Sequence, residues 1–146
     1  GGAGSIQERI YGYTKIGVEA YHIRHLRELV APDFPETKLG KYLLNTFVER
    51  DSWLKGEAIA QIFRARSGTD MTSRLGSMTV PTLVINGEYD NSLAAGRKTA
   101  SLIPGAVHRI LPKTGHACCI EDPAGFDDLV IEFLHANRLM PASPIT

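Results

Sequence analysis

The sequence predicts an α/β fold with an incomplete parallel sheet. Three observations carry this. The spacing of apolar residues changes near residue 76, from helical intervals before it to short β-branched runs after it. The run Val80-Pro81-Thr82-Leu83-Val84-Ile85-Asn86 is continuous rather than alternating, which suits a strand buried on both faces. A second run, Val107-His108-Arg109-Ile110-Leu111, follows after a helical stretch, so the two strands should be parallel with a right-handed crossover. The chain thus divides into a helical region (1–76), a strand-helix-strand-helix segment (77–140) and a tail (141–146).

Taken in order, Ile6 and Ile10 open an apolar face, and Ile23, Leu26, Leu29 and Val30 sit at helical spacings. Pro32 and Pro35 end that segment, because proline has no N–H and restricts the residue before it. A second helix is expected from about Lys38 to Glu49 and a third from about Ser52 to Arg66, closed by Ser67-Gly68-Thr69-Asp70. Met71 to Met78 reads as a connector. Pro81 fits only near the start of the first strand. Gly87-Glu88-Tyr89-Asp90 is a turn, and a helix follows from about Ser92 to Leu102, closed by Pro104-Gly105. After the second strand comes the loop Pro112-Lys113-Thr114-Gly115-His116. Phe126, Leu129, Val130, Phe133 and Leu134 then repeat at i, i+3, i+4, i+7 and i+8, a last helix with Pro123 in its first turn.

Composition excludes several function classes. The 146 residues carry 16 Lys plus Arg against 16 Asp plus Glu, which leaves no electrostatic footprint for nucleic acid. No basic amphipathic helix or long apolar run points to a membrane. A hydrophobic content of 43% is too high for a disordered chain. Cys118 and Cys119 are adjacent and make neither a disulfide framework nor a metal site; they suit small thiols in a reducing, cytoplasmic setting, with a vicinal disulfide as the alternative. The chain opens Gly1-Gly2-Ala3-Gly4 without an initiator Met, so it is expected to be a piece of something longer or to carry a cloning scar.

Ligands of open α/β sheets bind beyond the carboxyl ends of the strands. Asp90 follows the first strand and His116 the second, and parallel strands bring both loops to one edge. A carboxylate there can hold an imidazole by Nδ1–H and leave Nε2 to take a proton from a nucleophile. The same positions also suit a turn aspartate that caps the next helix and a histidine that satisfies backbone groups. Position alone leaves both readings open.

The pieces Val80–Asp90, Ile103-Pro104-Gly105-Ala106, Gly115-His116 and Glu121-Asp122-Pro123, in this order and spacing, resemble the C-terminal part of the α/β-hydrolase superfamily. The resemblance covers about Met78 to Leu139. It implies that Asp90 is the triad acid, that His116 is the triad base, and that 1–76 is the helical lid inserted before the penultimate strand. It implies chemistry through an acyl-enzyme, with no metal and no cofactor. The chain departs from the family where the nucleophile belongs. Ser5, Ser52, Ser67, Ser73, Ser77, Ser92, Ser101 and Ser143 all lack the flanking glycines of Gly-x-Ser-x-Gly. After Asp90, where the family often has a small apolar residue and proline, Asn91-Ser92-Leu93 stand instead.

The expected function is therefore the lid and acid–base half of a hydrolase for a small ester or lactone, inactive alone because its serine is missing. The alternative is a non-catalytic binding or receptor protein on the same fold, and a third reading is a helical interaction module with a βαβ tail. Trp53, with Phe47 and Phe63, is a candidate for a substrate pocket; packing between helices is the competing role. His22 and His25, at i and i+3, are expected to be solvated helix-surface residues, and His108 and His135 to need no function. Two strands are too few for an independent sheet. The expected partners, besides a small-molecule substrate, are the missing N-terminal half of the same protein or a second copy across exposed strand edges.

Overall fold

A computed structural model of the chain describes residues 3–51, 53–67 and 70–140. It divides into two compact units, Gly1–Met71 and Thr72–Thr146. The boundary lies between Met71 and Thr72 rather than after residue 76, because the connector contains a short helix that packs with the second unit. The expected tail, 141–146, lies outside the described residues, as do Gly1 and Gly2.

The first unit contains helices α1 (Ala3–Tyr11), α2 (Val18–Arg27), α3 (Lys38–Asp51) and α4 (Gly56–Ser67), with a short 3-10 turn at Phe34–Glu36. Between α1 and α2 the sequence reads through as apolar periodicity, but the chain makes one π-helical turn at Gly12–Ile16 and then breaks at Gly17. Gly17 has φ of +106°, which glycine alone adopts cheaply. The missing Cβ of Gly12 leaves room for the Tyr21 ring. Thr37 caps α3: its Oγ1 accepts the Gly40 N–H at 2.9 Å and donates to the Phe34 carbonyl at 2.8 Å. The third expected helix begins at Gly56 rather than Ser52, because Leu54 N–H closes a turn on the Asp51 carbonyl at 2.9 Å. Tyr13, Tyr21, Ala31 and Ala60 are the most buried apolar residues of this unit.

The second unit contains α5 (Thr72–Leu75), β1 (Leu83–Gly87), α6 (Leu93–Leu102), β2 (Val107–Leu111), α7 (Cys118–Glu121) and α8 (Pro123–Ala136). β1 and β2 are parallel, in register from Leu83 opposite Val107 to Gly87 opposite Leu111. Among the described residues these two strands are the whole sheet. Val80-Pro81-Thr82 stays outside the strand, although the Thr82 carbonyl still accepts the Val107 N–H at 2.9 Å. α6 packs on both strands and α8 on β2. Ala100, Ile103, Leu111 and Cys118 form the buried apolar centre. Asp122 starts α8, accepting the Gly125 N–H at 3.0 Å, with Pro123 directly after it.

Candidate active site

The carboxyl ends of β1 and β2 are tied together by their own backbone. Glu88 N–H donates to the Leu111 carbonyl at 3.0 Å, and Tyr89 N–H to the Thr114 carbonyl at 2.9 Å. Gly87 is required here, since any Cβ would run into the backbone carbonyls of Thr114 and Gly115. Thr114 turns its hydroxyl onto the Leu111 carbonyl at 3.0 Å. The Glu121 carboxylate accepts the Gly115 N–H at 2.8 Å, and that of Glu88 accepts the Lys113 N–H at 2.8 Å. Two acidic side chains thus brace the loop that carries His116.

That scaffold brings Asp90 and His116 together. Asp90 Oδ1 lies 3.0 Å from His116 Nδ1. An ionised carboxylate only accepts, so Nδ1–H is the donor and the neutral ring presents Nε2 as its proton acceptor. The Asp90 side chain is 2% exposed and that of His116 is 53% exposed. The acid is held inside and the imidazole faces outward. Asp90 is satisfied on both oxygens: Oδ1 also accepts the Ser92 N–H at 2.7 Å, and Oδ2 accepts from Asn86 Nδ2 at 2.6 Å. Burial pushes its pKa up, but the hydrogen bonds from Asn86, Ser92 N–H and His116 outweigh this and hold it below the ordinary carboxylate value. The Asp90 side chain closes the turn before α6 through Ser92 N–H, while Ser92 rather than Asp90 is the first residue outside that helix.

The other candidates fall elsewhere. Trp53 stands in the turn between α3 and α4 of the helical unit and is 76% exposed. Phe47 is partly exposed, and Phe63 stacks on Tyr13 with ring centres 6.1 Å apart. Both cysteines are free thiols, Cys118 buried and Cys119 exposed. Burial raises the Cys118 pKa, the reverse of what an activated nucleophile needs.

The expectation that His22 and His25 are solvated is corrected. Tyr13, which is 3% exposed, has its hydroxyl 3.0 Å from His22 Nδ1 and 2.7 Å from His25 Nδ1. His22 Nε2 lies 2.8 Å from Asp51 Oδ2. Helical spacing placed the two imidazoles on one face, but the hydroxyl that meets them comes from the π turn, which the apolar pattern concealed. Sequence reading gave no role of their own to Asn86 and Glu121 and expected His108 to need none. A polar residue inside a β-branched run was the available signal for Asn86.

No protein-family profile matches the chain. A stretch of 68 residues, 45% of the chain, is 38% identical to a 2-hydroxy-6-oxononadienedioate/2-hydroxy-6-oxononatrienedioate hydrolase of Cupriavidus pinatubonensis and covers 24% of that protein. Among solved structures, the enol-lactonase of Burkholderia xenovorans LB400 superposes on 92% of the chain with a TM-score of 0.80 and 25% identity. A hydrolase from Pseudomonas aeruginosa PA01 covers 92% with a TM-score of 0.77 and 27% identity. The chain spans about half the length of these two structures, 52% and 51%. With its parallel strand-helix-strand-helix order, the chain has the fold of the C-terminal half of these α/β-hydrolase structures.

Proposed function

We propose that this chain supplies the acid–base pair and a helical lid to a hydrolase that cleaves a small ester or lactone through a Ser-His-Asp triad. The serine stands outside these 146 residues. The observation that carries the reading is the 3.0 Å contact between a buried carboxylate and a half-exposed imidazole at the ends of neighbouring parallel strands. In this mechanism His116 Nε2 takes the proton of the serine hydroxyl as that oxygen attacks the carbonyl carbon. The resulting imidazolium returns the proton to the leaving alkoxide. Water then repeats the sequence on the acyl-enzyme and releases the acid. Asp90 keeps the ring in the Nδ1–H tautomer and stabilises the imidazolium without itself taking the proton. Trp53 is proposed as a wall of the acyl pocket. The names of the similar structures, a lactonase and a hydrolase, favour this substrate class.

Without a nucleophile and oxyanion donors, acid and base lose the main catalytic contributions, so the isolated chain is expected to be inactive. The partner is proposed to be the N-terminal part of the same protein, adding a strand to the open edge of β1. The test is hydrolysis of an activated ester such as p-nitrophenyl acetate. We expect none from the purified chain, and turnover when the preceding segment of its gene is joined to it. A burst of p-nitrophenol from the chain alone would overturn the externally supplied serine. Silence in both forms would favour a non-catalytic binding protein.

A further inference from the structure

The buried carboxylate of Asp90 does not end its hydrogen bonding at His116. By the register of the sheet, Val84 and Asn86 of β1 lie on the same face as His108 and Ile110 of β2. Asn86 and His108 are diagonal neighbours on that face, and Asn86 Oδ1 lies 2.9 Å from His108 Nε2. Asn86 is 6% exposed, and an unpaired amide there would carry a substantial desolvation cost. α6 approaches closely at Gly96, where any Cβ would strike the Asn86 amide. The glycine leaves a notch that holds the amide in one place.

Chemistry fixes the direction of every bond in this chain of groups. The Asp90 carboxylate only accepts, so the group facing Oδ2 must be the Asn86 NH2. Oδ1 of Asn86 therefore faces His108, which must donate from Nε2. The neutral Nε2–H tautomer does so, and so does the imidazolium. The amide cannot flip without setting oxygen against oxygen at one end and hydrogen against hydrogen at the other.

We propose that Asn86 and His108 are positioning residues for Asp90: His108 orients the Asn86 amide, the amide fixes Oδ2, and Oδ1 is left to His116 and the Ser92 N–H. The proposal rests on the role of Asp90 as the acid set out above. It assigns a function to a strand histidine whose side-chain hydrogen bond goes to Asn86, while Asp90 meets His116 directly. Neither residue contacts the reacting atoms; both act through the carboxylate.

The experiment reads the carboxylate directly, by following the Asp90 side-chain carbon in NMR titrations of the full 146-residue chain. Asn86→Leu keeps the branched shape and removes the donor, and Asp90 should hold its proton about tenfold more tightly, the size of one hydrogen bond to a charged group. His108→Phe should shift the same titration in the same direction by about two- to threefold. His108→Gln, which keeps an N–H donor, should restore it. In the Asn86→Leu background, His108→Phe should add nothing, because the path through the amide is gone. An unchanged titration in His108→Phe overturns the proposal, as does an equal shift in both backgrounds. If Asn86→Leu does not fold, the His108→Phe and His108→Gln pair decides alone, rescue supporting the path and no rescue overturning it. Because the readout is a titration, failure of ester turnover overturns the hydrolase reading and leaves this coupling standing.

Discussion

Among the described residues two aspartate–histidine pairs form, and they are built in opposite ways. In the α/β unit, Asp90 is buried and His116 is half exposed. In the helical unit, the histidine is the more buried partner: the His22 side chain is 14% exposed against 30% for Asp51. Asp90 meets Nδ1 of its histidine, whereas Asp51 meets Nε2. The decisive difference is the second ring nitrogen. His22 Nδ1 is engaged by the Tyr13 hydroxyl at 3.0 Å. Burial pushes Tyr13 up to about 12, against the opposing charge of Arg9, so the phenol keeps its single proton at neutral pH. With His22 neutral and its Nε2–H given to Asp51, that proton goes to His22 Nδ1 and the phenol oxygen accepts from His25 Nδ1–H. Both ring nitrogens of His22 are engaged, and neither is left to move a proton. A His–Asp contact is thus poor evidence for catalysis unless one ring nitrogen points outward, and only the Asp90–His116 pair meets that condition.

The largest effect expected from this contrast lies in activity. In the assembled hydrolase, His116→Ala or Asp90→Asn should lower kcat by about 10³–10⁴-fold, since residual turnover then comes from oxyanion donors and binding. Asp51→Asn and His22→Gln should leave kcat within a fewfold. Steady-state kinetics of the four variants check both halves of the comparison, and a large loss at Asp51 would erase the distinction.

Next in size is the backbone approach that makes the α/β pair possible. Gly87→Ala sets a methyl group against two backbone carbonyls that cannot step aside. It should destabilise the fold by about 1–3 kcal/mol and drive the Asp90 and His116 loops apart. Urea unfolding measures the first consequence. Loss of the low-field Nδ1–H resonance of His116 measures the second.

The helical pair should respond in stability rather than activity. Tyr13→Phe removes the hydroxyl that links His22 and His25 and takes one hydrogen bond from each of two part-buried imidazoles. The expected cost is about 1–3 kcal/mol, read as a lower urea midpoint. The pH dependence of the other pair has a definite sign. Asp90 is held below its ordinary pKa when folded, so its contribution is complete above the unfolded carboxylate value and is lost as pH falls through the folded one. The gap in midpoint between the native chain and Asp90→Asn should therefore be full at neutral pH and close below about pH 4. A gap that widens on acidification would reverse the assignment.

The two pairs also differ in how far they could be read from residues alone. Asp90 and His116 were legible because parallel strands place their following loops on one edge, whatever the side chains between them. The parallel order, the crossover helix and the last helix were legible for the same reason, since each rests on spacing within a short window. The Tyr13 network was not. It depends on a π turn at Gly12–Ile16 that interrupts an unbroken apolar pattern, and on contacts between separate helices. Asn86 and His108 were hidden by register: only once Val84 stands opposite His108 does the diagonal contact appear. The unit boundary moved to Met71 because four residues of the connector coil into α5, too short a helix to leave a periodic signal.

The smallest effect separates two aromatic residues of the helical unit by what they do. Phe63 stacks on Tyr13 and belongs to the packing of the helical unit, whereas Trp53 keeps 76% of its surface exposed. A residue that covers so little apolar area should tolerate truncation, so Trp53→Ala should move stability by less than about 0.5 kcal/mol. A pocket wall is a different matter, because its apolar surface is covered only when substrate binds. In the assembled hydrolase Trp53→Ala should then raise KM several-fold with kcat little changed, the signature of binding shared by ground and transition states. Loss of stability without a change in KM would return Trp53 to plain packing. An unchanged KM and an unchanged midpoint together would remove it from the site.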